Sequence, residues 1–580
     1  MKSGYWRLTN TTVDTRRCEY YDDPSKTPCP GQAQVGDPIC VNSALNQHGP
    51  LCTLCATPTA DRRGGYYDDG RCIECPEAGE RVGVIVAIVA AIIAIVAFLA
   101  YVYYRPPSAL STMSTRLHHV ARIVEPLGLW PKLKQTVSFF QVIFSLGAVY
   151  RADLPKEIYD ARAWLNWLSL DIFDIYPVAC IGDFSSRINL TAVTPLVVIA
   201  IGIPLAALTG KLLGSMRTGL AFGGAFGLVI VWALTPTISK MLFQVFDCET
   251  FGFFDGTAET LNSTSTGVIE QHFLYEAMRI RCSDADFDSP EHDELKGLAG
   301  FYLAIWPVGM PLLMAALLTR AHRQSSMPST GMPPTNLSML QRATSPLSRE
   351  YDQHSYYWEV LELARRLVIS AVLLAIPSAN GMTRLAVALV TSFLYVILLF
   401  TVRPFKRLDD TVVAATTNVL LVFTFLTTIY IKVFDDVADN RMGSTDLAQT
   451  VMGFDSSFDV ARTLIGIGFA QVIIVIAVIC SKLKRVVDAA SLQQQQKDND
   501  RVLRAIQSRD ILRHPAVFIT YEDLRPLGRF AKHEEARGAG VLHNIDTYEE
   551  LLDFTKSETT LFVSQCRVRA RSLSAALLQP

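Results

Sequence analysis

From Val82 to Tyr104 the chain carries no charge, and its apolar residues cover every face of a helix rather than one stripe. That run is long enough to cross a hydrocarbon core of about 30 Å as a helix. Further largely apolar candidates lie at Leu133–Tyr150, Leu190–Leu208, Gly219–Phe246, Leu298–Leu318, Leu367–Ala379, Leu385–Val402, Thr411–Val433 and Leu464–Cys480. Together they predict an all-α polytopic transmembrane bundle of roughly nine helices. Two of the nine are irregular. Leu133–Tyr150 is short and holds Gln141, and Leu367–Ala379 spans only if Arg365 and Arg366 snorkel to the interface.

Charge between the runs is segregated. Arg105, Arg116, Arg122, Lys132 and Lys134 follow the first span against one acid, Glu125. On alternate connections from there lie Lys211 and Arg217, then Arg320, Arg323, Arg342 and Arg349, then Arg403, Lys406 and Arg407, then Lys482, Lys484 and Arg485. The other side holds an acidic loop, 247–296, rich in Asp and Glu. The positive-inside rule then predicts an N-terminus outside and a cytoplasmic C-terminus. Composition agrees with lipid as the solvent: half of the 580 residues are hydrophobic, 19% are charged, and mean hydropathy is +0.25. A net charge of −2 leaves no electrostatic footprint for nucleic acid.

Seven of the twelve cysteines, Cys18, Cys29, Cys40, Cys52, Cys55, Cys72 and Cys75, crowd into the first 75 residues. Cys52, Cys55, Cys72 and Cys75 have the spacing of a zinc ribbon, yet they fall on the expected outer side, where thiols oxidise. A disulfide-rich ectodomain over 1–81 is therefore expected, and no metal site. The seventh cysteine needs a partner such as Cys180, Cys248 or Cys282, while Cys248 and Cys282 also bracket the acidic loop as a pair. Sequons at Asn10, Asn189 and Asn262 lie on the same side and are glycosylation candidates. The opening MKSGYWRLTN has no apolar core of a signal peptide, so insertion is expected to rest on the first span.

At these residues a resemblance emerges. HGPLCTLC, GGYYDDGRCIEC and the span after them resemble the EGF-like or ephrin-receptor-like cysteine-rich module of a group of protist polytopic membrane proteins. Their membrane part is similar to the transient receptor potential (TRP)-like ion channel domain. The motifs LDIFDIYPVAC (Leu170 to Cys180), WPVGMP (Trp306 to Pro311), YYWEVLELARRL (Tyr356 to Leu367) and TVRPFKRLDD (Thr401 to Asp410) extend the resemblance over most of Gly49 to Arg485. It implies a cation channel. A cysteine-rich surface receptor or adhesion protein without conductance, or a carrier, is the alternative.

A pathway needs polar positions inside a span. Thr417, Thr424 and Thr428 share one helical face with Asn418 beside them, which makes that face the pore-lining candidate. Helix packing through hydroxyl bonds to the helix's own carbonyls competes with it. Pro307, Gly309 and Pro311 predict a kink that serves as a bend or a hinge. Gly219, Gly223 and Gly227 form a small-residue ridge for close helix approach. Tyr356, Tyr357 and Trp358 read as an interfacial belt, with Glu362 and Arg366 spaced for an ion pair.

Domain limits follow: 1–81 the ectodomain, 82–485 the membrane domain with a disordered inner loop at 320–355, and 486–580 a cytoplasmic tail. The tail reads as a helix, then a partial α/β segment with strands at Ala516–Thr520, Val541–Ile545 and Thr559–Ser564. No HExxH, GxSxG or P-loop is present, so no catalytic residues, cofactor or enzyme activity are expected. The partners implied are the lipid bilayer and cations, with an extracellular ligand and a homo-oligomer left open; the plasma membrane is the preferred location.

Overall fold

The computed structural model describes residues 3–7, 15–18, 20, 24–31, 40, 47–56, 64–68, 70–75, 127–151, 183–212, 215–254, 268–284, 287–326, 338–377, 380–439, 457–507, 516–527, 533–545, 551, 554 and 556. The chain divides into two compact units, Met1–Ile479 and Cys480–Pro580. The expected span Val82–Tyr104, the sequons at Asn10 and Asn262, Cys180 and the strand Thr559–Ser564 lie outside the described residues.

The first unit opens with two antiparallel ribbons, β1 (Tyr5–Trp6) with β2 (Arg16–Arg17) and β3 (Gly65–Asp68) with β4 (Arg71–Glu74). Two-stranded ribbons are marginal in water, and here disulfides Cys18–Cys29, Cys40–Cys52 and Cys55–Cys72 close them. Cys75 is disulfide-bonded as well. Cys52 turns back to Cys40 and Cys55 reaches Cys72, so the two C-x2-C pairs do not converge on one ion.

Helices then follow: α1 (Leu129–Phe144), α2 (Leu146–Tyr150), α3 (Phe184–Leu212) and α4 (Met216–Gln244). A hairpin of β5 (Cys248–Phe254) and β6 (Val268–Leu274) pairs from Cys248↔Leu274 to Phe254↔Val268. After it come α5 (Pro290–Leu303) and α6 (Met310–Ser326), joined through a π-helical turn at Ala304–Gly309. The bundle is completed by α7 (Met339–Ser348), α8 (Trp358–Ser370), α9 (Gly381–Val402), α10 (Leu408–Asp439) and α11 (Ser457–Gln507).

Six helices among the described residues are long and apolar enough to cross a membrane: Phe184–Leu212, Met216–Gln244, Pro290–Gln324, Gly381–Val402, Leu408–Phe434 and Arg462–Asp500. Their outward faces carry Ile201, Leu205, Leu312, Phe393 and Leu394, each at least half exposed, as a lipid-facing surface requires.

Of the nine expected spans, Val82–Tyr104 lies outside the described residues, and two others do not form spanning helices. Leu133–Tyr150 is broken at Ser145, whose backbone N–H and hydroxyl both turn back to Val142 O. Its longer piece, α1, is walled in by other helices, and so tolerates buried Lys132, Lys134, Gln135, Ser138 and Gln141. Of Leu367–Ala379, the described residues 367–377 form the end of α8 and a short 3-10 turn, Val372–Ala375, after a bend at Ala371. Arg365 and Arg366 do not snorkel; both are buried.

The loop 320–355, expected to be disordered, is helical on both flanks: α6 runs to Ser326, and α7 begins at a capping box in which Ser338 and Gln341 satisfy each other's backbone N–H. Ala343, Thr344 and Leu347 are buried, and Trp130 donates to Pro346 O at 2.7 Å.

The glycine ridge of α4 lies against α3. A Cβ at Gly219 would strike Ala206 O and reach Gly210 Cα at 2.8 Å, and one at Gly223 would reach Ile203 Cα at 3.1 Å. Backbone cannot yield as a side chain can, so Gly219→Val is expected to cost about 3 kcal/mol. Thermal unfolding in detergent beside Gly202→Val, where nothing lies within 4 Å, checks this.

In the second unit β7 (Ala516–Phe518) pairs antiparallel with β8 (His543–Ile545), with short helices α12 (Tyr521–Leu524) and α13 (His533–Gly538) between them. The expected strand, helix, strand order is present as a two-stranded pair.

Candidate functional site

Three polar assemblies lie inside the first unit. The first is where β5 begins. Asp247, 2% exposed, bridges two guanidinium groups: Arg384 at the start of α9 and Arg151 after α2, each at 2.8 Å. Arg151 also pairs with Glu249 and lies 3.6 Å from the centre of the Tyr275 ring. Arg384 is fully buried and further donates to the carbonyls of Val149, Leu374 and Ile376. Lys432 near the end of α10 donates to Arg151 O. The Cys248–Cys282 disulfide ties this end of the hairpin. Asp247 and Glu249 of the acidic loop are thus counter-ions to buried or half-buried arginines.

The second assembly is at the opposite ends of α9 and α10. Lys132 lies between Asp409 and Asp410, 2.7 Å from each. Lys134 joins Glu350 to Glu359, and Tyr351 donates to Glu359 at 2.8 Å. Deeper along the same faces, Ser138 donates to Glu362, and Arg366 donates to Gln141 while its guanidinium covers the Trp232 ring at 4.5 Å. Glu362 pairs with Arg365, three residues on, and not with Arg366. The reason is that Arg366 is drawn to Gln141 and Trp232 on the neighbouring helices. Trp358 is buried against Tyr395 rather than set in an interfacial belt. Burial pushes the Glu350 carboxyl up to about 7, partly offset by Lys134 and reinforced by Glu359.

The third assembly is the polar face of α10. Thr417, Asn418, Thr424 and Thr428 are all buried, each bonding the carbonyl four residues back. The Thr417 hydroxyl also accepts from Gln471 Nε2 of α11 at 2.7 Å. Asn418 Oδ1 and Gln471 Oε1 are buried without a hydrogen-bond partner among the described residues. Two amide oxygens of that kind each cost about 1–3 kcal/mol when dry. As hard, uncharged acceptors they suit water or an alkali cation.

The other candidates are placed as follows. Pro307 and Gly309 lie in the π-helical turn, which widens the helix where Pro307 has no N–H to give, and Pro311 is in the first turn of α6. Trp306 anchors that turn by donating to Ala192 O at 3.2 Å. Asn189 lies on α3 with its side-chain oxygen accepting from Tyr302. Cys248, Cys282 and His292 bring potential ligand atoms within 4.8 Å of one another, but both sulfurs are spent in the disulfide.

Sequence reasoning missed the charged assemblies. It counted Lys132 and Lys134 as loop charges, whereas both are at most 2% exposed. A usable signal was present: isolated Arg151 and Arg384 flank apolar runs and face an acidic segment.

Spanning helices that enclose buried ion pairs and a polar seam, beside a disulfide-closed module, define a multi-pass membrane protein. Residues 217–502 match the family model of the transient receptor potential (TRP) ion channel. That range takes in α4 to α10, most of α11 and all four residues of the polar face. No curated protein and no solved structure matches the chain.

Proposed function

We propose that this protein is a cation channel of the plasma membrane, with its N-terminus outside and its C-terminus cytoplasmic, and that the α10 face of Thr417, Asn418, Thr424 and Thr428 with Gln471 of α11 is a wall of its closed pathway. The observation that carries the reading is the pair of unpartnered oxygens, Asn418 Oδ1 and Gln471 Oε1, buried between helices of the family-matched domain. Helix packing alone would be served by the threonine bonds to their own carbonyls, and gains nothing from acceptors left dry. Placing the hairpin end outside agrees with its Cys248–Cys282 disulfide. Pro307, Gly309 and Pro311 then serve as a hinge in the Pro290–Gln324 span. The segments 1–81, 82–485 and 486–580 act as ectodomain, channel and tail.

Cation flux into liposomes carrying purified protein tests this. Asn418→Leu and Gln471→Leu should change flux or selectivity at least several-fold, with Thr427→Val on the same helix as control. Unaltered flux in both would remove the assignment of the wall. Ligand binding with no flux in well-inserted protein would favour a receptor, and flux that saturates and needs a counter-ion would favour a carrier.

A further inference from the structure

The cysteine-rich module is not a separate bead on the chain. Its buried cluster contains Trp6, Cys18, Cys29, Cys40 and Cys52, but it is completed by Phe251 of β5 and by Met278, which follows β6. Trp6 is 1% exposed and meets the Phe251 ring edge-on at 5.6 Å. Arg16 of β2 donates to Thr250 O at 3.2 Å and pairs with Glu249 at 3.3 Å. A small module with too few apolar residues for its own core thus borrows one from the hairpin.

Glu249 has a second cation on its other side, Arg151. From there the connections are continuous: Arg151 to Asp247, Asp247 to Arg384 at the start of α9, and Arg151 O to Lys432 near the end of α10. A Cβ at Gly381, the first residue of α9, would meet Lys432 Cε at 3.0 Å, so these two helix ends touch. Every link is a hydrogen-bonded charge. A carboxylate shared between two cations cannot follow one without loosening the other, and a buried ion left without its partner is costly.

We propose that the module is a lever on the membrane helices: the position of β1 and β2 on the hairpin sets, through Glu249 and Arg151, the packing of the adjoining ends of α9 and α10. A ligand that grips the module, or one that displaces Arg16 from Glu249, then biases the bundle between two arrangements. The consequence for conductance rests on the channel reading above; the mechanical coupling does not.

The test uses the full chain in nanodiscs and in liposomes. Arg16→Glu places like charges together at the Glu249 contact, and Trp6→Ala empties the shared cluster. Arg16 is at the module surface, so disulfide mapping and limited proteolysis can show that the module remains folded. Amide hydrogen exchange at 381–386 and 428–434 should accelerate about tenfold in either variant, the size of a typical coupling between sites. Lys432→Met combined with Arg16→Glu should be non-additive. Cation flux should shift in the same variants. Exchange that responds while no variant conducts would keep the lever and sink the channel. Flux altered by Asn418→Leu, with neither exchange nor flux altered by Arg16→Glu or Trp6→Ala in a folded module, would overturn the lever and leave the channel standing.

Discussion

Arg384→Met is expected to reduce the yield of folded protein sharply, and to lower stability by about 3–5 kcal/mol in what survives, the usual penalty for stranding a buried charge. The Arg384 side chain is fully buried and serves as the donor to Asp247 and to the carbonyls of Val149, Leu374 and Ile376. Methionine fills much of the volume and supplies no hydrogen-bond donor. Three carbonyls lose a donor, and Asp247 keeps only Arg151 as a cation. Lysine keeps the charge but not the fork, so Arg384→Lys should recover less than half of the loss. Arg384→Met with Asp247→Leu should be less damaging than Arg384→Met alone, because no carboxylate is then left with half its partners. Thermal unfolding in detergent, followed by tryptophan fluorescence and by size-exclusion yield, reads all three. Equal stability of Arg384→Met and the native protein would show that the site is hydrated enough to do without its guanidinium.

Where the bundle faces lipid, its helices were legible from the sequence. Leu190–Leu208, Leu385–Val402 and Thr411–Val433 stand out because every outward residue must be apolar. The helix α1 was misjudged because that rule does not apply to a helix whose polar side chains are buried against other helices. Its Lys134, Ser138 and Gln141 are spaced as one face, and the facing residues on α8, Glu359, Glu362 and Arg366, are spaced as another. Neither face declares its partner in the sequence, since the residues are more than 200 positions apart. A similar limit applied to the acidic loop: composition gives its charge, but Asp247 and Glu249 differ from their neighbours only through Arg151, Arg384 and Arg16, which come from three other parts of the chain. The cysteines were legible as a disulfide set through the compartment expected for them. Their pairing was not, because spacing leaves many connectivities open. On α10, periodicity found the polar face and its hydroxyl bonds, whereas Gln471, inside an apolar run, acquired meaning only when its helix was placed beside Thr417.

Glu350→Gln is expected to abolish a pH dependence of stability that the native protein shows between about pH 4.5 and 7. Glu350 follows α7, outside the six spanning helices, and its carboxyl is driven up from 4.5 to about 7 by burial, with Lys134 opposing and Glu359 adding to the rise. Lys134 is the lysine facing it, Glu359 the neighbouring acid on α8, and Tyr351 the hydroxyl that bonds Glu359. One ammonium between two buried carboxylates satisfies one of them well and the pair poorly. A folded-state value above the unfolded one means that the folded protein holds this proton more tightly. The resulting stabilisation is complete below the unfolded value and is lost as pH rises through about 7. The difference in stability between Glu350→Gln and the native protein should therefore grow with pH and favour the variant above pH 7. Lys134→Met should be the severe counterpart: it removes the one ammonium that both carboxylates contact and should cost about 3–5 kcal/mol at high pH, less at low pH where Glu350 is protonated. The affected region is also tied to the link between α9 and α10, because Lys406 N–H bonds Glu350 O and Tyr351 bridges Phe405 just before α10. Denaturation of the native protein and both variants in detergent across pH 4 to 9 measures this. Parallel curves for Glu350→Gln and the native protein would mean that the carboxyl titrates alike in the folded and unfolded chain, with Lys134 offsetting the whole effect of burial.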